Sequence, residues 1–486
     1  MNIKYQLLLM LLAFGSLGTR LDAQDYHAVE GSSMAGSLGI GNNPASIVNT
    51  PYPWDLDLIS LQLQYGTNFI SIFNESFLPP YGKGLLEGSN ASGKRFGDMD
   101  FNLNLLNGRI ALNRLQAVGF GLNLRASGHA QASPYNYVDT IMNPTGFFNS
   151  NQGNTNYNGY FTGTSWVEAF LTYSQTIFED NAGRLNAGFT VKATRGLAAG
   201  VAELNNAEVL QGSNGTTNNY TVTNGSAHYG YSYNFDDWQN NKSSYGNLRN
   251  FLITDTRGGF NFDIGAEWLI KPRGISIDNY RDDYFDYEWK IGLSFLDLGH
   301  NQFIYGSQSH YFTSTAANVT DSVLDQKFND LHNFNQYNDS LSTIVNGFNS
   351  ISQGKFRILN PARAVLNIDR PLGYDFYLNL NLSINLGQIL SGHDAYDQEL
   401  NLLTVTPRWE TNWWGVYMPF QYNVEHQFLV GGALKAGPLL IGFHNWANIF
   451  SRNKMQNGGG YLALVIKPFS KITPKKSDKR LECPHI

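Results

Sequence analysis

Apolar and polar residues alternate with period two along much of this chain. The clearest run is Tyr374–Leu386. Tyr374, Phe376, Leu378, Leu380, Leu382, Ile384 and Leu386 fall on one face, and Asp375, Tyr377, Asn379, Asn381, Ser383 and Asn385 on the other. This spacing predicts a β-strand with one apolar and one wet face. Gly258–Leu269 repeats it, with Phe260, Phe262, Ile264 and Trp268 opposed to Asn261, Asp263 and Glu267. So do Asp100–Leu112, Ala117–Ala126, Ser165–Ile177, Leu185–Arg195 and Tyr287–Leu296. Strands of soluble domains average about 5–6 residues. Strands that cross a bilayer need about 9–11, and most of these runs are that long.

Placed along the chain, strands are expected near 54–72, 98–112, 117–128, 164–177, 184–200, 257–269, 286–298, 359–369, 374–387, 401–412, 415–424, 427–435, 438–446 and 460–469. The expected fold is therefore all-β: a transmembrane antiparallel β-barrel of about 14 strands. A hairpin at Asn219–Phe235, counted as two more wall strands, would raise the number to about 16. With the first strand running outward, the connections on the periplasmic side are mostly short and those outside mostly long, as in bacterial barrels. Residues 299–358 form the largest outer segment. Within it, Val323, Phe328, Leu331, Phe334, Leu341, Ile344, Val345 and Phe348 suggest a helical pair capping the mouth.

Composition narrows the class further. Only 15% of the 486 residues are charged, while Gly (49) and Tyr (27) are abundant. A mean hydropathy of −0.29 excludes a bundle of membrane helices, and a net charge of −6 argues against nucleic-acid partners. Cys483 is the single cysteine, which excludes an internal disulfide framework and a thiolate zinc cluster. Residues 1–23 read as a secretory signal, with Lys4 before the apolar run Leu7–Phe14 and Ala23 before the cut. A barrel with a signal of this kind is expected in the cell outer membrane, among outer-membrane lipid and lipopolysaccharide. The final residues, 470–486, are basic and are expected in the periplasm.

Residues 24–53 precede the first strand and are rich in small residues, broken by Pro44, Pro51 and Pro53. Such a segment can fold within a narrow lumen or hang outside it. Here GNNPASI (41–47), followed by a long strand from Trp54, resembles the start of FadL-type outer-membrane barrels. That resemblance implies an N-terminal hatch plugging a fourteen-stranded barrel that carries hydrophobic substrates, with Asn43, Pro44 and Ala45 as the hatch motif. PYPWDLDL, LRASG (124–128), TPRW (406–409), VYMPFQYN (416–423) and KAGPLLIGFHN (435–445) are similar to a Bacteroidota family of outer-membrane barrels known as a domain of unknown function. PorV-type barrels resemble it in outline.

The wet faces carry Arg125, Glu168, Lys192, Asp263, Glu267, Lys290, Arg408 and Glu410. In a barrel these face the lumen, because a Lys or Arg facing lipid near the midplane costs about 2–4 kcal/mol. They form either a selectivity ladder or a paired network that holds the barrel rigid. There is no G-x-S-x-G elbow, H-E-x-x-H or P-loop, and the ten His residues lack ligand spacing. No catalytic residue, metal or cofactor is assigned, and the acidic stretch 278–288 reads as a solvated turn. The leading functional expectation is binding or passage of a small hydrophobic or amphipathic ligand, gated by the hatch. The alternatives are a non-transporting anchor for surface, periplasmic or secretion proteins and, disfavoured, a lipid-acting enzyme.

Overall fold

The computed structural model describes residues 26–73, 85–89, 93–137, 143–212, 219–236, 244–254, 256–271, 287–352, 354–392, 394–397, 399–447 and 454–468. The signal 1–23, the tail from 470 onward, Cys483 and most of the acidic stretch 278–288 lie outside the described residues.

Fourteen antiparallel strands make one closed wall among the described residues. They are β1 (Trp54–Thr67), β2 (Arg95–Asn113), β3 (Gln116–Ala132), β4 (Asn156–Glu179), β5 (Gly183–Gln211), β6 (Arg257–Ile270) and β7 (Trp289–Ile304). Then come β8 (Arg363–Gly373), β9 (Phe376–Asn385) and β10 (Leu402–Glu410). β11 is Trp414–Tyr417 continued by Phe420–Asn423, broken at Pro419, which has no N–H to give the ladder. β12 (Phe428–Val430, then Gly432–Ala436), β13 (Leu439–Phe443) and β14 (Asn457–Ile466) complete it. Each strand pairs with the next, and β14 pairs with β1, so no open edge meets lipid.

The alternation sets the two faces. On β6, Phe260, Phe262, Ile264 and Trp268 are exposed outward while Asn261, Asp263 and Glu267 are buried. Around the wall, Leu171, Phe189, Leu293, Leu378, Leu434 and Leu462 continue the exposed apolar belt. Trp54, Trp268, Trp413 and Trp414, all exposed, sit at the rim with short turns, where amphipathic rings favour an interface. One strand start is corrected. Tyr374 and Asp375 have φ of 53° and 63° and form the turn between β8 and β9, so the strand begins at Phe376. The wall count is also corrected from the upper expectation. Tyr220–Tyr231 is a single strand that pairs with the far end of β5 outside the cylinder and adds nothing to its circumference.

β4 and β5 have 24 and 29 residues, far more than a crossing needs. Their surplus projects from the long-loop rim and pairs with Tyr220–Tyr231, onto which His310–Phe312 and Val319–Thr320 are added. Short helices at Asp321–Phe328 and Phe334–Ser342 follow, their N-termini capped by Thr320 and Asn333. Phe312, Val319, Leu341, Ile344 and Val345 form a small apolar core there.

Candidate functional site in the barrel interior

Residues 26–52 run inside the cylinder. Two 3-10 turns shape the path, Gly36–Gly39 and Pro44–Asn49. Asn43 begins the second: its Oδ1 accepts from Ala45 N at 2.9 Å and its Nδ2 donates to the Ala266 carbonyl of β6 at 3.0 Å. The wall makes room with glycine. Gly188 of β5 and Gly265 of β6 are direct cross-strand partners. A Cβ at Gly188 would lie 2.6 Å from the Pro44 backbone, one at Gly265 2.2 Å from Asn43 Oδ1, and one at Gly292 of β7 2.8 Å from Asn43 Nδ2. Three strands thus lack side chains where Asn43 and Pro44 press against them.

Polar wall side chains bind the backbone of this segment. Ser294 donates to the Asn42 carbonyl at 2.6 Å and Ser174 to that of Ala45 at 3.1 Å. Arg109, fully buried, donates to the carbonyls of Ile47 and Tyr52 and to Asp55 Oδ2 at 2.7 Å. Asp55 Oδ1 accepts from Ser37 N at 2.6 Å, and Gly36 packs on that carboxylate at φ 59°. Ser32 donates to Glu410 at 2.5 Å.

The eight wet-face residues all point inward, and the structure sorts them into groups. Arg125, Glu168, Lys192 and Asp263 meet in one network. Arg125 lies 2.8 Å from Asp297 and 3.8 Å from Glu168, and Lys192 lies 2.9 Å from Asp263 and 2.6 Å from Asp297. The fully buried Trp166 donates to Glu168 at 3.0 Å and stacks under Arg125. Arg363 and Glu399, 2.7 Å apart, join the network. Arg408 and Glu410 belong to a second group near the short-turn rim, where Arg408 grips Asp369 through two bonds of 2.6 and 2.9 Å and Lys435 reaches Glu410 at 2.8 Å. Glu267 and Lys290 lie 3.8 Å apart beside it.

The other sector of the lumen holds an apolar cluster, beside the buried polar Gln421, Asn423 and Lys435. Tyr417 of β11, Ala433 of β12, Leu440 of β13 and Tyr461 and Ala463 of β14 are buried against Tyr26, Ala28, Val29 and Ala35 of the N-terminal segment. Between segment and wall is a cavity of about 60 Å³, well below the roughly 300–1,000 Å³ of a small-molecule pocket.

Sequence reasoning missed Asp297, the hub of the first network. Counting by twos from Lys290 places Asp297 on the lipid face. A bulge between Phe295 and Leu298, with Asp297 at φ 55°, turns it inward. Arg363 and Asp369 were readable, since they share a face with Val365 and Asn367. Glu399 lies in a connection that strand periodicity does not reach.

A sequence match to the Family of unknown function (DUF5723) spans residues 44–444. The chain belongs to that family. The matched region takes in thirteen of the fourteen wall strands and the Asn43-adjacent turn. No curated protein matches the sequence. Among solved structures, it is similar to a Pseudomonas aeruginosa FadL homologue (11% identity, TM-score 0.41, covering 92% of this chain and 98% of that one). It is also similar to the Ralstonia pickettii toluene transporter TbuX (11% identity, TM-score 0.38, covering 89% and 94%). A deletion mutant of the monoaromatic hydrocarbon channel TodX gives 9% identity and TM-score 0.39, covering 92% and 95%.

Proposed function

We propose that this protein is an outer-membrane barrel that binds or passes a small amphipathic ligand, with residues 24–53 as a hatch and no catalytic step. The observation that supports this is the division of the lumen into two chemically opposite sectors. Charged pairs line β3–β8 and β10, an apolar cluster lies on β11–β14 beside the inward Lys435 of β12, and the N-terminal segment covers both. A ligand with a polar head and a greasy body matches that division once the segment moves. The orientation follows from the connections: the short-turn rim faces the periplasm and the long-loop rim the outside.

The test is uptake of dodecanoate into proteoliposomes. An Ala45→Cys, Ser174→Cys pair in a Cys483→Ser background tethers the segment to β4, next to the 3.1 Å hydrogen bond that already joins them. Flux that stops on oxidation and returns on reduction supports the gate. Absence of flux in both states, together with no flux after removal of residues 24–50, defeats passage. A second reading, a non-transporting anchor for surface proteins, is favoured by the closed charge network and the small cavity. It expects no flux in any variant and co-purification of a partner from native membranes.

A further inference from the structure

The cavity beside the N-terminal segment has one wall built almost entirely of carboxamides. Gln62 comes from β1, Asn102, Asn104 and Asn107 from β2, and Asn123 from β3. Gln62 and Asn102 are direct cross-strand partners, as are Asn104 and Asn123, which places these side chains about 4.5–5.5 Å apart at Cβ. They are inward and buried or nearly so, yet most of their acceptors are unused. Gln62 Oε1 and the Oδ1 atoms of Asn102, Asn104, Asn107 and Asn123 have no hydrogen-bond partner, and neither does Glu30 Oε2 on the segment facing them. Against these six acceptors stand three amides without a hydrogen bond among the described residues, those of Gln62, Asn102 and Asn107.

Two of the carbonyls cannot be exchanged with their amides by rotation. Asn104 Nδ2 donates to Ser60 Oγ at 2.7 Å and Asp57 Oδ2 at 3.3 Å, and Asn123 Nδ2 donates to Glu168 at 3.0 Å. Turning either amide would set its oxygen against a carboxylate. Their Oδ1 atoms therefore stay unpaired in the cavity. An unpaired buried acceptor costs about 1–3 kcal/mol, so a surplus of acceptors calls for a guest that offers positive charge or hydrogen-bond donors. Charge points the same way. The cavity lining holds the cations Arg125, Lys192 and Arg363 against four carboxylates, Glu30, Glu168, Asp263 and Asp297, with His27 behind it 3.0 Å from Glu30. The three cations are already engaged by carboxylates at 2.6–2.8 Å, which leaves an anion little to bind.

We propose that this chamber binds a single small monovalent cation through carboxamide and carboxylate oxygens. The cation is either an alkali ion or the ammonium head of an amphiphile. The site stands apart from the transport reading, because binding is measured without flux. The purified full-length barrel in detergent is dialysed against ²²Na⁺, ⁸⁶Rb⁺ and, separately, radiolabelled decylammonium. Saturable retention of one alkali ion per barrel supports an inorganic guest. Saturable decylammonium without retained alkali ion supports an ammonium head. Gln62→Glu, which adds charge at constant volume, tightens binding about tenfold, and Gln62→Leu weakens it about tenfold. A merely structural role for Gln62 predicts no tightening with Glu. Retention of neither probe by the wild-type barrel, or equal retention by wild type, Gln62→Glu and Gln62→Leu, overturns the proposal.

Discussion

At the scale of single residues, the interior depends on where side chains are missing as much as on where they are present. Gly188 and Gly265 face the backbone of Pro44 and the side chain of Asn43 at distances no Cβ tolerates. Gly188→Ala should therefore destabilise the barrel by about 1–3 kcal/mol. Thermal unfolding in detergent reads this, and an unchanged midpoint contradicts the close packing. Arg109 joins three groups of the segment and β1, all away from water. Arg109→Met leaves the Asp55 carboxylate buried with its main partner gone, a loss of about 3–5 kcal/mol. At the short-turn rim, just past β14, burial and the nearby Lys435 ammonium pull the Lys467 amine down to about 7, while its ring contact with Tyr52 is 4.4 Å. The unfolded chain keeps that proton to about 10.5, so between pH 7 and 10.5 the unfolded state binds more protons and stability rises with pH. Lys467→Met should flatten that rise. An identical slope in the variant refutes the assignment.

At the scale of elements, a strand here is defined by two solvents at once. β6 shows it plainly: Phe260, Phe262, Ile264 and Trp268 are exposed and apolar, and Asn261, Asp263 and Glu267 between them are buried and polar. Phe262→Arg on its outer face should cost about 2–4 kcal/mol near the midplane, read as loss of the heat-modifiable folded band on gels. Asn261→Ala on the inner face avoids that lipid penalty. Alternation made most of the wall readable from sequence because lipid and lumen impose opposite demands on neighbouring residues. It failed where the backbone breaks step. Asp297 is carried inward by a bulge, and Tyr374 belongs to a turn with positive φ, neither of which a period of two can register. The surplus length of β4 and β5 was underestimated for a different reason. Beyond the membrane both faces of a strand meet protein or water, and the pattern that marks a crossing fades.

At the scale of the whole molecule, the wall, the inner segment and the outer strands form one connected arrangement. The charge networks on β3–β10 rest against the same segment that the apolar sector of β11–β14 holds from the other side. Removing residues 24–50 should therefore open the lumen and weaken both sectors together, so small solutes enter liposomes faster and the unfolding midpoint falls. A drop in stability with unchanged permeability would indicate a lumen sealed by the wall charges alone. Asn43, Pro44 and Ala45 were visible as a motif and Arg125, Glu168, Lys192 and Asp263 as wet-face residues. Their grouping was not visible, because residues far apart in sequence share a network only after the sheet closes.

The sequence by itself determined the alternation, hence the strands, their outward faces and the closed cylinder those faces require, because partition between lipid and water acts on each residue locally. Only the tertiary structure decided which inward charges pair, that Asp297 stands at their centre, and that three wall glycines receive Asn43 and Pro44. Those outcomes depend on register, bulges and close approach between different strands and the inner segment, and no local pattern along the chain encodes such approaches.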